Sequence, residues 1–193
     1  MRATQHHYTV DGWGVGELWV CDGVLLHHEL AGTLPDGVDR AQSMSAQDES
    51  GAASTVPPNG GTRSPSGTVA LDVSRKANDL VSELCRSFAR HLAGAPTAYH
   101  DVRLDDSWCT PFQLELLRAL RVVPWGEVVS YGELAALAGR PGAARAAGTF
   151  CAENRYSLIV PCHRVVAADG IGGYGTSGVA LKRRLLALES VKL

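Results

Sequence analysis

The sequence predicts a mixed α/β (α+β) chain: a small antiparallel sheet with helices at its N-terminal end, then a mainly helical second half holding a helix-turn-helix. Three observations carry this. Short β-type runs broken by Asp-Gly pairs fill the first thirty residues. A stretch without periodicity follows. From Thr110 onward, apolar residues recur at helical spacing behind capping signals.

Taken in order, Tyr8-Thr9-Val10 runs into Asp11-Gly12, Glu17-Leu18-Trp19-Val20 runs into Asp22-Gly23, and Val24-Leu25-Leu26 follows. Asp-Gly supplies the positive φ that a tight hairpin turn needs. From about 35 to 68, Ser, Gly, Pro, Asp, Gln and Thr dominate, and Pro57-Pro58-Asn59-Gly60-Gly61 breaks any pattern. The expectation there is a disordered insertion with no core of its own. Leu80, Val81, Leu84, Phe88 and Leu92 then describe one face of an amphipathic helix over 78–92. With Ala95-Pro96 as the boundary, the expected domains are 1–95, carrying the 35–68 insertion, and 96–193.

In the second half, Thr110-Pro111 reads as an N-cap with proline at the first helical position. Phe112, Leu116, Leu117 and Leu120 form the stripe of that helix, which Pro124-Trp125-Gly126 ends. Ser130 and Glu133 form a capping box over Leu134 and Leu137. After the turn Gly139-Arg140-Pro141-Gly142 comes a third helix from Ala143, poor in bulky side chains. Helix, Gly-containing turn, helix is the outline of a DNA-reading unit, although two such helices can also be plain packing.

Composition narrows the function. The chain has 193 residues, 45% hydrophobic, enough for one large or two small cores. Its formal net charge of −2 excludes a highly basic nucleic-acid-coating protein. The charge is uneven, however: residues 112–193 hold ten Lys and Arg against six Asp and Glu, whereas 1–111 are acidic. The second half can therefore approach a polyanion. Five cysteines in no framework and no signal peptide point to a reducing cytosol, and no run reaches the ~20 apolar residues of a membrane span. The expected setting is cytoplasmic and nucleoid-associated, with no membrane partner.

Chemistry concentrates at Pro161-Cys162-His163-Arg164-Val165. A bare Cys-His pair is more often structural than reactive, because a buried Cys behaves as a small hydrophobe. Here Leu158-Ile159-Val160 reads as a buried strand that stops at Pro161, leaving Cys162 fixed at its base and free at its tip. A free thiol is only a few per cent thiolate at neutral pH, so a nucleophile needs a base and something to hold that base. His163 is the base, acting through a turn or a bridging water because adjacent side chains diverge. Glu189, from the C-terminal helix, is the carboxylate that orients it. Lowering the thiol pKa by about two units would make most of it thiolate at pH 7.

Pro161-Cys162-His163-Arg164-Val165-Val166, Asn154, and Pro124-Trp125-Gly126-Glu127-Val128-Val129-Ser130-Tyr131-Gly132-Glu133-Leu134-Ala135 together resemble the methylated-DNA–protein-cysteine methyltransferases, the O6-alkylguanine-DNA alkyltransferases. The resemblance runs from about Thr110 to Glu189 and is loose before that. It implies a ribonuclease-H-like N-terminal domain and a winged-helix-like C-terminal one. It also implies irreversible, single-turnover transfer of an alkyl group from O6-alkylguanine in double-stranded DNA, and possible O4-alkylthymine repair, by a monomer. Cys162 would be the acceptor, His163 the base acting through water, Glu189 its orienting partner, and Asn154 the residue holding the Cys turn. Arg145 would enter the duplex where the guanine leaves and Tyr131 would help rotate the nucleotide. The helix from Ala143, with Ala144, Ala147 and Gly148, would lie in the minor groove, where small residues fit. Tyr174, Pro161, the Val165 carbonyl and Ser177 would line the base pocket.

This sequence departs from the family's pattern at Thr149-Phe150-Cys151-Ala152-Glu153 and in the length of the 169–182 loop, which leaves Ser177 and Thr176 both open as contacts to the leaving oxygen. No cofactor is expected, since Gly170-Ile171-Gly172-Gly173-Tyr174 does not sit between a strand and a helix. Nor is a metal: Cys21, His27, His28 and Cys85 show no zinc spacing. Three alternatives stay open from the residues themselves: a lesion sensor without transfer, a thiol hydrolase, and a helix-turn-helix regulator in which Cys162 is structural.

Overall fold

The computed structural model describes residues 3–30 and 67–192, with side chains from 78 onward in the second stretch. Most of the expected 35–68 insertion lies outside the described residues. Three strands, β1 (Thr4–Val10), β2 (Gly14–Cys21) and β3 (Val24–Glu29), form an antiparallel sheet in chain order. The β2–β3 hairpin pairs Cys21 with Val24 around Asp22 and Gly23, both at positive φ (49° and 75°), as a two-residue primed turn requires. Tyr8 lies opposite Gly16 with its ring across that backbone. A Cβ on Gly16 would come within 2.4 Å of the ring, so only glycine fits.

Helix α1 (Gly67–Leu92) starts eleven residues before the amphipathic pattern predicts, and its first residues replace the end of the expected insertion. In the sequence, Val69 and Val73 are four residues apart and Val73 stands seven residues, about two helical turns, before Leu80, across a polar interruption. Its buried face, Leu84, Phe88 and Leu92, covers the sheet through Tyr8 and His28, and the His28 ring stacks on Phe88 at 4.1 Å.

The second half supplies α2 (Pro111–Arg121), β4 (Val129–Ser130), α3 (Tyr131–Leu137), α4 (Ala144–Ala152), β5 (Val165–Val166) and α5 (Gly178–Leu188). Thr110 caps α2 in a box closed by Gln113, and Ser130 caps α3 in a box closed by Glu133. Helices α3 and α4 flank the Gly139–Gly142 turn. Strands β4 and β5 pair in parallel, Val129 with Val165, which ties the end of the α2–α3 connection to the segment after Cys162.

One buried cluster runs through both halves, from Tyr8 and Leu18 to Phe150 and Leu185. The free edge of β3 is covered rather than exposed: Leu25 bridges Leu104, and the His28 N–H donates to the Arg155 carbonyl at 2.8 Å. His28 completes that seam with Nδ1 2.7 Å from the Ser157 carbonyl and Nε2 2.7 Å from the Tyr8 hydroxyl.

Burial depresses the His28 pKa from 6.5 to about 3, against the pull of the Ser157 carbonyl. Between those values the unfolded chain binds a proton that the folded chain refuses. The stabilisation is therefore complete above about 6.5 and is lost as pH falls toward 3. From pH 7 to pH 5 this one group is expected to cost roughly 2 kcal/mol of unfolding free energy. Urea titrations at the two pH values check it. The drop should shrink in His28→Gln; a drop of unchanged size in that variant would place the titrating group elsewhere.

Candidate active site

Cys162 heads a 3-10 turn, Cys162–Arg164, that runs directly into β5. The expected strand before it is absent. Leu158, Ile159 and Val160 are buried but form a turn, with Leu158 at φ 68°. Asn154 is the cause. Its Nδ2 donates to the Val160 carbonyl at 2.8 Å and to the Cys162 sulfur at 3.0 Å, while its Oδ1 accepts the Tyr156 N–H at 3.0 Å. One side chain thus folds the run back on itself and holds a left-handed leucine four residues from the thiol.

Glu189 caps the C-terminus of α5 and is buried. His163 Nε2 lies 2.8 Å from its Oε1, and the Arg164 fork meets both oxygens, each at 2.9 Å. The Gly126 N–H adds a donor at 3.1 Å. Gly126 sits at φ 80°, where a Cβ would crowd the Glu189 carbonyl at 3.2 Å, so the Pro124-Trp125-Gly126 turn needs its glycine. Arg164 Nη1 is spent on the Val123 carbonyl at 2.7 Å. Burial alone would raise the Glu189 carboxyl; hydrogen bonds from His163 and Arg164, together with their charges, override it and hold the pKa at about 2. The carboxylate in turn fixes the proton of His163 on Nε2. Nδ1, fully buried and without a protein partner, keeps its lone pair.

Burial pushes the other two groups toward neutrality. The Cys162 thiol is raised above its ordinary value, with Asn154, Tyr174 and Lys182 pulling it down less strongly. His163 is lowered by burial, with Glu189 opposing. Burial thus favours a neutral thiol and a neutral imidazole at rest, the opposite direction from a lowered thiol pKa. The arrangement can pass the thiol proton to His163 Nδ1 through one water as the sulfur reacts.

Other expected residues are distributed over the elements around the Cys162 turn and on α4. Pro161 and Val165 are buried beside that turn, and the buried hydroxyl of Tyr174 lacks a well-formed hydrogen bond although it lies near enough to influence the thiol. Tyr131 is half-buried against Gly148 and Gly172, its hydroxyl 3.5 Å from the Gly173 carbonyl. Ser177 and Thr176 are exposed in a 3-10 turn before α5. On α4, Arg145 is exposed while Ala144 and Gly148 are half-buried. Ala147 is 0% exposed: it faces the core, so its small size serves helix packing rather than contact with an outside partner. The Val165 carbonyl, expected to be free for a base, already accepts Lys182 Nζ at 2.6 Å.

Lys182, Arg164 and His91 escape the sequence reading. Lys182 is fully buried, and its ammonium also meets the carbonyls of Ile171 at 2.6 Å and Gly173 at 3.0 Å, clamping the 165–173 loop. Its position, three and four residues before Leu185 and Leu186 and seven before Glu189, marks it as an inward-facing charge. Arg164, alone among Cys, His and Val, carries the same signal. Nothing local marks His91.

His28, with both nitrogens already engaged, cannot join Cys21, His27 and Cys85 on a metal. Among the described residues, His91, His163 and Glu189 bring donor atoms within 4.8 Å of one another, but the carboxylate is saturated and a dication there would face the Arg164 guanidinium. A cavity of about 400 Å3 lies behind the Cys162 loop, walled by Tyr99, Trp125, Ile159, Pro161 and Arg164 among others; it does not reach Cys162 or Tyr174.

Replacing Lys182 by Met would leave three carbonyls without their cation and remove a charge that favours the thiolate. Lys182→Met is expected to lower the unfolding free energy in urea by about 2–4 kcal/mol. The pH midpoint for Cys162 alkylation by iodoacetamide, read on its peptide, should move upward. An unmoved midpoint would remove Lys182 from the thiol's electrostatics.

Residues 111–191 match the family model for the 6-O-methylguanine DNA methyltransferase, DNA binding domain. Over 85 residues the chain is 51% identical to the methylated-DNA–protein-cysteine methyltransferase of Salmonella typhimurium, covering 44% of this chain and 49% of that one. The mouse protein of the same name is 46% identical over 97 residues, 50% of this chain and 44% of its own. The chain thus spans about half the length of the curated relatives it matches. Likeness to solved structures extends further. The crystal structure of Mycobacterium tuberculosis O6-methylguanine methyltransferase aligns over 96% of this chain and 93% of its own, at 31% identity and a TM-score of 0.58. The Mycobacterium tuberculosis protein in complex with DNA gives 0.59 at the same identity and coverage. The chain belongs to the O6-methylguanine methyltransferase family.

Proposed function

We propose that this protein repairs DNA directly, moving the alkyl group of an O6-alkylguanine onto Cys162 once and irreversibly. The observation that carries this reading is the His163 imidazole, buried beside the thiol in the chain, with Nε2 locked on Glu189 and Nδ1 unspent. The thiol proton passes through water to Nδ1, the sulfur attacks the alkyl carbon, and the carbon–O6 bond breaks. The released guanine takes up the proton, so nothing beyond thiol and alkylguanine is consumed. The product is a thioether, which ordinary hydrolysis does not reverse, and the protein acts as a stoichiometric reagent.

The partner is double-stranded DNA, whose damaged base must leave the stack at a cost of a few kcal/mol, least for a poorly paired lesion. Arg145, exposed on α4, enters the gap, Tyr131 assists rotation, and Ala144 and Gly148 allow the helix to approach the minor groove. Pro161, Tyr174, the Val165 backbone and Ser177 form the base pocket, and Asn154 holds the acceptor turn. The finer architecture we read as a ribonuclease-H-like domain over 1–95 and a winged-helix-like domain over 96–193, working as a monomer in the cytoplasm. No helix among the described residues is long and apolar enough to cross a membrane.

Intact and peptide mass measurement after incubation with an O6-methylguanine duplex tests the reading. One methyl on Cys162 is expected, and none in Cys162→Ala; binding without mass gain would leave a lesion sensor. Arg145→Ala is expected to slow transfer from the duplex more than about tenfold while changing reaction with free O6-benzylguanine less than about twofold, because the free base needs no extrusion. Equal losses on both substrates would move Arg145 into the acceptor site.

A further inference from the structure

The buried group that the proposed reaction leaves unused is His91, in the last turn of α1. Its ring is fully buried, edge-on to Trp125 at 4.8 Å and to His163 at 6.1 Å. Its Nε2 has no hydrogen-bond partner, yet it lies 3.7 Å from Glu189 Oε1, the oxygen that His163 uses. The Nδ1 lies 3.3 Å from the Tyr99 hydroxyl, which is equally 3.3 Å from the Ser87 carbonyl.

These contacts decide where the proton sits. Tyr99 has one hydroxyl hydrogen and two acceptors in reach. If His91 carried its proton on Nδ1, its Nε2 lone pair would face a carboxylate oxygen inside the protein. With the proton on Nε2, the N–H replaces that lone pair 3.7 Å from the oxygen and Tyr99 is free to donate to Nδ1. The anionic Glu189 selects the second state. Every positive end turned toward Oε1 withdraws part of the charge that would stabilise a protonated His163.

We propose that His91 is a positioning residue for alkyl transfer: its Nε2–H, held by Trp125 and Tyr99, shares Glu189 Oε1 with His163 and keeps His163 neutral and ready to accept the thiol proton. The proposal rests on the function proposed above. It also makes the acceptor site depend on the N-terminal helix α1. His91 itself stays neutral: burial, His163 and Arg164 hold its pKa at about 3, against Glu189. The titratable and charged groups facing these two imidazoles are Glu189 from the end of α5, Arg164 from the 3-10 turn, Lys182 from α5, and Tyr99.

The test uses the full chain and free O6-benzylguanine, following alkylation of Cys162 by intact mass from about pH 5 to about pH 9. In His91→Phe, Glu189 would be left to His163, Arg164 and the Gly126 N–H, so His163 would protonate more readily. The acid limb of the rate should move up by roughly half a pH unit or more. His91→Gln keeps an N–H donor toward Glu189 and should return the limb to its wild-type place. A limb that stays put in His91→Phe, or one that moves and is not restored by His91→Gln, would overturn the proposal. If neither variant folds, the nitrogen-15 shifts of His91 in the wild-type protein still decide: protonation on Nε2 supports the proposal and protonation on Nδ1 overturns it. Failure of the wild-type protein to take up the benzyl group would instead sink the transferase reading.

Discussion

Glu189 keeps a full negative charge in a place where water does not reach, and several parts of the structure are arranged around that charge. A lone carboxylate so placed would take up a proton instead of staying ionised. Here Arg164 supplies a two-pronged cation, Gly126 supplies a backbone N–H, and His163 supplies a ring N–H. The donors come from two separate parts of the chain. The Arg and His belong to the Cys162 turn, and the glycine belongs to the connection between α2 and α3. Pairing of this kind is weak evidence for stability, because replacing a buried pair by apolar residues is often neutral. Its value lies in orientation: only one placement of the Cys162–Arg164 turn satisfies the carboxylate.

From that orientation follows the division of labour between thiol and imidazole. Burial raises the one and lowers the other, so neither is charged at rest. A preformed thiolate in such a site would need a cation beside it, and the candidates are committed elsewhere: Arg164 to Glu189, and Lys182 to three carbonyls. Under the proposed function, the site would hold its proton until the alkylguanine brings its alkyl carbon to the sulfur. That arrangement suits the proposed single-use acceptor, since a standing thiolate would be spent on any passing electrophile or oxidant.

The sequence made the local chemistry legible and left the long-range chemistry hidden. Capping at Thr110 and Ser130, the Asp22-Gly23 turn and the Cys-His dipeptide are short-range patterns whose physics is complete within four residues. Glu189 could be chosen because it follows an apolar helix, and the structure brings it to His163. The strand expected at Leu158-Ile159-Val160 fails for a different reason. Apolarity reports burial, and burial is correct there, but the backbone path is dictated by the Asn154 side chain reaching forward to Val160 and Cys162. His91 was unreadable because its meaning comes from residues 163 and 189, across more than seventy positions of chain.

The small residues of α4 show how one pattern can have two causes. A run of Ala and Gly suggests a helix that something approaches closely, and on a single helix that suggestion applies to every face. The fold divides it. Ala147 points inward, where a larger side chain would have to displace the core around Phe150. Gly148 meets the ring of Tyr131, at 3.9 Å from where its Cβ would stand. Only Arg145, Ala146, Thr149 and the residues near the end of the helix face outward. Smallness on the inner side brings α4 close to the Cys162 pocket, and smallness on the outer side leaves room for a narrow groove. The first places Asn154, just past the end of α4, within 3.0 Å of the sulfur; the second is what the proposed passage of a base from duplex to thiol requires. Both demands fall on nine residues, so a bulky substitution at Ala147 would disturb the thiol by way of Asn154 without touching any DNA.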